Sequence, residues 1–168
     1  MLKKAGFGGG CHWCTEAVFS SLKGINSVEQ GWIESNGENS SFSEAVIVEF
    51  DPEIISFEIL TAVHLHTHSS TAAHSMREKY RSAIYFFDEN DIPLMEEAIL
   101  KSQDDFDSKI ITKILPFVAF KINREDALNY YFSNPEKPFC ENYISPKLKL
   151  ILKQFTEFAD VGKLQHIK

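Results

Sequence analysis

Gly8-Gly9-Gly10-Cys11-His12-Trp13-Cys14-Thr15-Glu16-Ala17-Val18-Phe19 is the stretch around which the rest of the chain is arranged. Three glycines in a row let the backbone turn tightly and come close to a ligand. From Thr15 the pattern turns helical, with Val18, Phe19 and Leu22 recurring at three- and four-residue spacing along one apolar face. Cys11 therefore falls at or just before a helix N-terminus, where unpaired N–H groups and the helix dipole favour negative charge. A thiol placed there ionises more easily than a free one. The helix is expected to stop near Lys23-Gly24, with glycine as its cap.

The flanking chain alternates strands and helices. Leu2–Phe7, Val28–Ile33, Ser43–Phe50 and Arg81–Phe87 read as strands from their apolar and β-branched content. Thr112–Ile122 reads as one further strand, with Pro116 at an edge or bulge. Asn36-Gly37 marks a hairpin turn. Ser56 caps a helix over Phe57–His66, and Ile92–Ser108 is a long amphipathic helix using Leu94, Ala98, Ile99 and Phe106. A short helix spans Glu125–Phe132. A loop through Pro138 carries Cys140, and Ser145-Pro146 opens a terminal helix to about Phe158. No repeat or low-complexity linker interrupts the chain. These elements predict one α+β domain over residues 1–168, with helices packed on a mixed or antiparallel sheet in two layers.

With 168 residues the chain is long enough to bury a core. Its formal net charge of −7 argues against a broad nucleic-acid surface or an anionic-membrane surface. No apolar run is long enough to span a bilayer. The first ten residues pair Lys3 with Lys4 but lack an apolar core, so a secretory leader is not expected. Three cysteines are an odd number for a disulfide scaffold. A cytoplasmic protein with thiol chemistry is the expectation.

The candidate reactive residues follow. Cys11 and Cys14 form a C-x-x-C that reads as two buried thiols, a redox pair or half of a zinc site. His64, His66, His68 and His74 could complete the last. However, on a helix only His64 and His68 share a face, and the metal reading is the weakest of the three. Glu44, beside Phe42 at the start of an apolar strand, is either a solvated strand end or a proton donor. Tyr80 is either a core tyrosine or a hydrogen-bond donor to a polarised oxygen. Cys140, in a mobile C-terminal loop, is where a resolving thiol is expected.

Taken together, these motifs resemble the A-type peptide methionine sulfoxide reductases. Gly10-Cys11-His12-Trp13-Cys14 corresponds to that family's glycine-cysteine-phenylalanine-tryptophan-glycine signature. Glu44-Ala45-Val46, Phe50-Asp51-Pro52 and Ile55-Ser56-Phe57-Glu58-Ile59-Leu60 follow in order. Tyr80-Arg81-Ser82-Ala83-Ile84-Tyr85 reads almost unchanged, and Pro135 through Cys140 and Ile144-Ser145-Pro146-Lys147-Leu148 are similar to the C-terminal region.

The resemblance implies a ferredoxin-like core and reduction of the S epimer of methionine sulfoxide, free or in peptides. Cys11 would attack the sulfoxide sulfur, Glu44 would protonate the leaving oxygen and Tyr80 would hold it. Trp13 would form an apolar wall for the substrate methyl group. The sulfenic acid left on Cys11 would condense with Cys140, carried by the C-terminal segment 133–168, or with Cys14. Thioredoxin or another dithiol would then reduce the disulfide. The resemblance implies no metal or organic cofactor, and a monomer is expected.

Four positions depart from the family. His12 replaces the phenylalanine, and Cys14 replaces the second glycine. Phe42 is the nearest aromatic to a missing substrate-binding tyrosine, and Ser75 falls where the family has an aspartate.

Overall fold

β1 (Lys3–Gly8) and β3 (Ser43–Phe50) pair antiparallel along their lengths, Lys3 opposite Phe50 and Gly8 opposite Ala45. In this computed structural model, which describes residues 1–167, that pair is the centre of a six-stranded sheet. β4 (Ala83–Phe86) lies antiparallel on the outer side of β1, and β2 (Ile25–Glu34) lies antiparallel on the outer side of β3. With α1 (His12–Ser20) after β1 and α2 (Phe57–His66) after β3, the order is β1-α1-β2-β3-α2-β4. That arrangement is the ferredoxin-like split β-α-β, as the sequence resemblance implied.

The period-two alternation along β3 decides which face each residue takes. Val46, Val48 and Phe50 join Ala5 and Phe7 of β1 against α1 and α2, in the main core. Glu44 has the same parity and so faces the helices, beside its cross-strand neighbour Trp32. Ala45 and Ile47 point the other way, into a second core with Ile33, Ala83 and Tyr85. Gly6 belongs to that inner side. A Cβ there would lie 2.7 Å from Ile33 Cδ1 and 2.9 Å from Tyr85 Cβ, so only glycine fits.

The segment expected as one strand over Thr112–Ile122 forms two. β5 (Lys113–Pro116) runs parallel to β4 at one edge of the sheet, and β6 (Ala119–Ile122) runs antiparallel to β2 at the other. The break falls after Pro116, which has no N–H to continue a ladder. Next, the N–H of Phe117 donates to Phe86 of β4 at 3.0 Å, and that of Val118 to Glu34 of β2 at 3.1 Å. Two consecutive residues therefore bond to β4 and β2, on opposite sides of the central pair, because the sheet curls.

Other boundaries also move. α1 begins at His12, three residues before Thr15, and ends at Ser20. Gly24 is not its cap. With φ at +81° it shapes the turn into β2, and its carbonyl accepts from Asp51 N–H at 2.8 Å. α2 matches its expected range, and the Ser56 side chain accepts from Ile59 N–H. α3 (Ile92–Ser102) stops short of Ser108. Its inward face is Met95, Ala98 and Ser102, whereas Leu94 is rotated outward and 48% exposed.

The helix expected over Glu125–Phe132 is divided by Asn129, whose left-handed φ of 53° ends one turn before α4 (Tyr130–Ser133) begins. Cys140 is not in a loop. It opens a π-helical turn, Cys140–Ile144, which leads directly into α5 (Ser145–Gln154) and packs into the main core.

Candidate active site

Cys11 caps the N-terminus of α1, with φ −59° and ψ 130°. Its carbonyl already accepts from Cys14 N–H at 3.1 Å and Thr15 N–H at 3.2 Å, so the helix is closed behind it. The side chain lies at the positive end of the helix, half-buried. A hydrogen bond from the Cys14 thiol is the main cause that lowers the Cys11 pKa. The N–H of Trp13 acts in the same direction, while burial and the Glu44 carboxylate oppose it. Cys14 shows the complementary effect: it gives its S–H to Cys11, lies buried, and holds its own proton more firmly than an ordinary thiol.

The glycine turn beneath Cys11 is fixed from two sides. His64 of α2 bonds the Gly8 carbonyl through Nε2 at 2.8 Å. Arg77 donates to the carbonyls of Gly9 and Tyr80, each at 2.8 Å. His68 packs so tightly under the turn that a Cβ on Gly9 would lie 2.4 Å from its Cδ2. Burial holds His64 neutral, with a pKa of about 4, and pushes His68 well below the usual histidine value.

Glu44 approaches from β3. Its Oε1 accepts the backbone N–H of His12 at 3.2 Å, which places the carboxylate one residue from Cys11. Tyr80 comes from the segment before β4, which is docked onto the same strand end. The Lys79 carbonyl accepts from Glu44 N–H at 3.0 Å and from Ser43 Oγ at 2.9 Å. Lys79 Nζ lies 3.6 Å from Glu44 Oε2 and over the Tyr80 ring at 5.0 Å. Cys11, Cys14, Tyr80 and Phe139 line one cavity of about 540 Å³, together with His64, His68 and Lys147.

Glu44 and the other sequence candidates lie around rather than in this cavity. Trp13 is outside its lining, stacked on Tyr130 with ring centroids 4.0 Å apart and Phe139 edge-on at 5.7 Å. Phe42 precedes β3 and is 45% exposed. Ser75 opens an exposed turn over Ser75–Glu78. Cys140 is wholly buried, which raises its thiol pKa. It lies near enough for its charge to act on Cys14.

Among the described residues no three His, Cys, Asp or Glu side chains are grouped to hold a metal. The histidines have separate partners: His66 bonds the Ala62 carbonyl, His68 bonds Ser82 Oγ, and His74 caps the turn after it.

Several site residues carry no signal in sequence. Arg77 organises the glycine turn from 68 residues away. Gln30, Asn123 and Glu16 are brought beside His12 only by the pairing of β2 with β6 and α1. Tyr130 shows in the sequence only as part of the aromatic run Tyr130-Tyr131-Phe132.

Residues 3–159 match the family described as peptide methionine sulfoxide reductase. The chain is 32% identical to the peptide methionine sulfoxide reductase MsrA of Pasteurella multocida, over 97% of this chain and 100% of that one. It is 29% identical to the MsrA of Sulfolobus acidocaldarius, over 95% and 99%.

Among solved structures, reduced Mxr1 of Saccharomyces cerevisiae aligns with a TM-score of 0.72 at 21% identity, covering 84% of this chain and 91% of Mxr1. Mxr1 in complex with Trx2 aligns at 0.58 and 22% identity, covering 77% and 84%. Those likenesses speak for the fold alone. The sequence match does more: running through the cysteine at the head of α1, the strand of Glu44 and the segment of Tyr80, it shows that this chain belongs to the peptide methionine sulfoxide reductase family.

Proposed function

We propose that the chain reduces methionine sulfoxide, free or within peptides, to methionine by thiol chemistry at Cys11. The observation that carries this reading is the lowered Cys11 thiol at the head of α1, opening onto the same cavity as Tyr80 with Glu44 behind it. The Cys11 thiolate attacks the sulfoxide sulfur. Glu44 supplies the proton to the sulfoxide oxygen, and the Tyr80 hydroxyl holds that oxygen by a hydrogen bond. The family resemblance assigns the substrate methyl group to Trp13, which stacks on Tyr130 beside that cavity, and the rest of the substrate to the side of Phe42 and Ser75.

The sulfoxide hydroxyl passes to Cys11 Sγ as the sulfur–oxygen bond and the transient Cys11–sulfur bond break, so methionine leaves with the electron pair and Cys11 is oxidised to the sulfenic acid. A second thiol, Cys14 or Cys140, displaces water to form a disulfide. An external dithiol, thioredoxin or a similar protein, takes up the oxidation by exchange and restores the thiols. The reading includes selection of the S epimer and a monomer in a reducing cytoplasm. Among the described residues no helix is long and apolar enough to cross a membrane.

The test is single-turnover reduction of racemic methionine sulfoxide without added reductant. Wild type should convert about one equivalent of one epimer, and Cys11→Ser none; equal inertness of the two proteins rejects the reading. The Cys14–Cys11 hydrogen bond also favours a second reading, a thiol–disulfide oxidoreductase. A reversible Cys11–Cys14 bridge without any sulfoxide turnover would select it.

A further inference from the structure

His12 occupies the phenylalanine position of the family signature, but it is not held as an apolar ring would be. It is 5% exposed and edge-on to Trp32, with centroids 5.0 Å apart. Its Nδ1 lies 2.8 Å from the carbonyl oxygen of Gly31. A carbonyl only accepts, so Nδ1 carries a proton. Nε2 lies 3.4 Å from Glu44 Oε1 and 3.2 Å from Asn123 Nδ2.

The contacts continue inward. Asn123 donates to Gln30 Oε1 at 2.6 Å, and Gln30 donates to Glu16 Oε1 and the Ala127 carbonyl, each at 3.0 Å. Glu16 in turn accepts the N–H groups of Asn129 at 3.0 Å and Tyr130 at 3.2 Å. Glu44, His12, Asn123, Gln30 and Glu16 thus form one polar chain anchored in α1, β2 and the segment after β6. A phenyl ring at position 12 would cut it at the residue touching the carboxyl, leaving its neighbours with unmet hydrogen bonds.

The consequence falls on Glu44. Its Oε1 accepts the backbone N–H of His12, and that residue is fixed by its ring, held at Nδ1 by the Gly31 carbonyl and at Nε2 by Asn123 Nδ2. Oε2 is left with only the exposed Lys79 ammonium at 3.6 Å. Oε2 is therefore the oxygen that no backbone N–H engages.

We propose that His12 is a positioning residue that fixes the Glu44 carboxyl so that Oε2 is presented to the sulfoxide oxygen. The inference rests on the sulfoxide-reducing reading and adds to it a residue that departs from the family signature. The charged and titratable groups facing the pair are few. Cys11 lies beside it at the head of α1, and Lys79 and Tyr80 come from the segment before β4. Glu16 is reached through Gln30, and Lys121 lies over Trp32 at 5.8 Å.

Two measurements test it. The first is the single-turnover rate of sulfoxide reduction across pH for wild type, His12→Phe and His12→Gln. His12→Phe restores the family signature, yet it should slow the first step by about 10- to 100-fold and displace the pH profile, with little change in KM. His12→Gln, whose amide can still donate to the Gly31 carbonyl and accept from Asn123, should recover much of the rate. A His12→Phe protein matching wild type in rate and profile overturns the proposal, whereas an inert wild type overturns the sulfoxide reading itself.

The second measurement needs no turnover. The imidazole 15N resonances of His12 should shift, and their pH titration should change, on Glu44→Gln. Resonances that stay in place show that ring and carboxyl do not touch, and the proposal falls whatever the activity.

Discussion

The indole of Trp13 lies flat against the ring of Tyr130, with 4.0 Å between centroids and 7° between planes. Lys137 Nζ covers the stack from above the tyrosine ring at 4.1 Å. The C-terminal third of the chain is therefore fastened to the residue two places after the reactive cysteine. Stacked pairs add roughly 1 kcal/mol to the burial of their surfaces. Tyr130→Ala should lower unfolding stability by about 2 kcal/mol, measured by urea titration. In a Trp32→Phe background it should also shift the emission of Trp13 to the red. An unmoved emission maximum would rule out the stack in solution.

Cys14 supplies the largest influence on Cys11, a hydrogen bond that lowers its pKa. Removing the donor must raise that pKa, because the thiolate loses a stabilising partner that the thiol does not need. In a Cys140→Ser background, Cys14→Ala should therefore slow alkylation of Cys11 by iodoacetamide at neutral pH. It should also move the midpoint of the rate against pH upward. A downward shift, or none, would mean that helix position alone sets the thiol.

Much of this arrangement is legible in the sequence because it is local. Gly8 to Phe19 place Cys11 at a helix start, Ser56 caps its helix, and the alternation in Ser43–Phe50 turns Glu44 to the same face as Val46. What escapes the sequence is what depends on pairing distant segments. Pro116 signals a break, but nothing near it says that the chain then crosses to the opposite edge of a curled sheet. The loop expected around Cys140 is wound into helix because the core takes Cys140 and Ile144 together. Asn129 looks helical by its neighbours until the N–H it shares with Glu16 is known. His12 reads as a lost aromatic ring until Gly31 and Asn123 are seen beside it.

The buried histidine beneath the glycine turn predicts acid sensitivity. His64 titrates at about 4 in the folded protein against an ordinary 6.5, chiefly because it is buried. Between those values the unfolded chain binds a proton that the native protein refuses. Stability from this group is complete above 6.5 and is lost as pH falls toward 4. The loss comes to about 3 kcal/mol at 1.36 kcal/mol per pH unit. His68, shifted in the same direction, adds to it. Urea unfolding at neutral and mildly acid pH should show the decline, and His64→Phe should make it shallower. An equal slope in the two proteins would place the acid sensitivity elsewhere.

The final expectation concerns which thiol resolves Cys11. Cys14 lies within the same helical turn, close enough for each thiol to shift the pKa of the other. The Cys11 thiolate is the main cause that keeps the proton on Cys14, ahead of burial, so conversion of Cys11 to a sulfenic acid removes the larger hold and favours attack by Cys14. Cys140, by contrast, is wholly buried and reaches the pair from the side of Cys14. After one turnover, mass mapping should find Cys11 bridged to Cys14 and Cys140 still a thiol. Cys14→Ser should prolong a sulfenic acid that dimedone traps, slowing disulfide formation by on the order of tenfold or more through lost proximity. Cys140→Ser should leave the first bridge unchanged and affect only later exchange with the external dithiol. A first bridge between Cys11 and Cys140 in wild type, formed as fast when Cys14 is serine, would reverse the order of the two thiols.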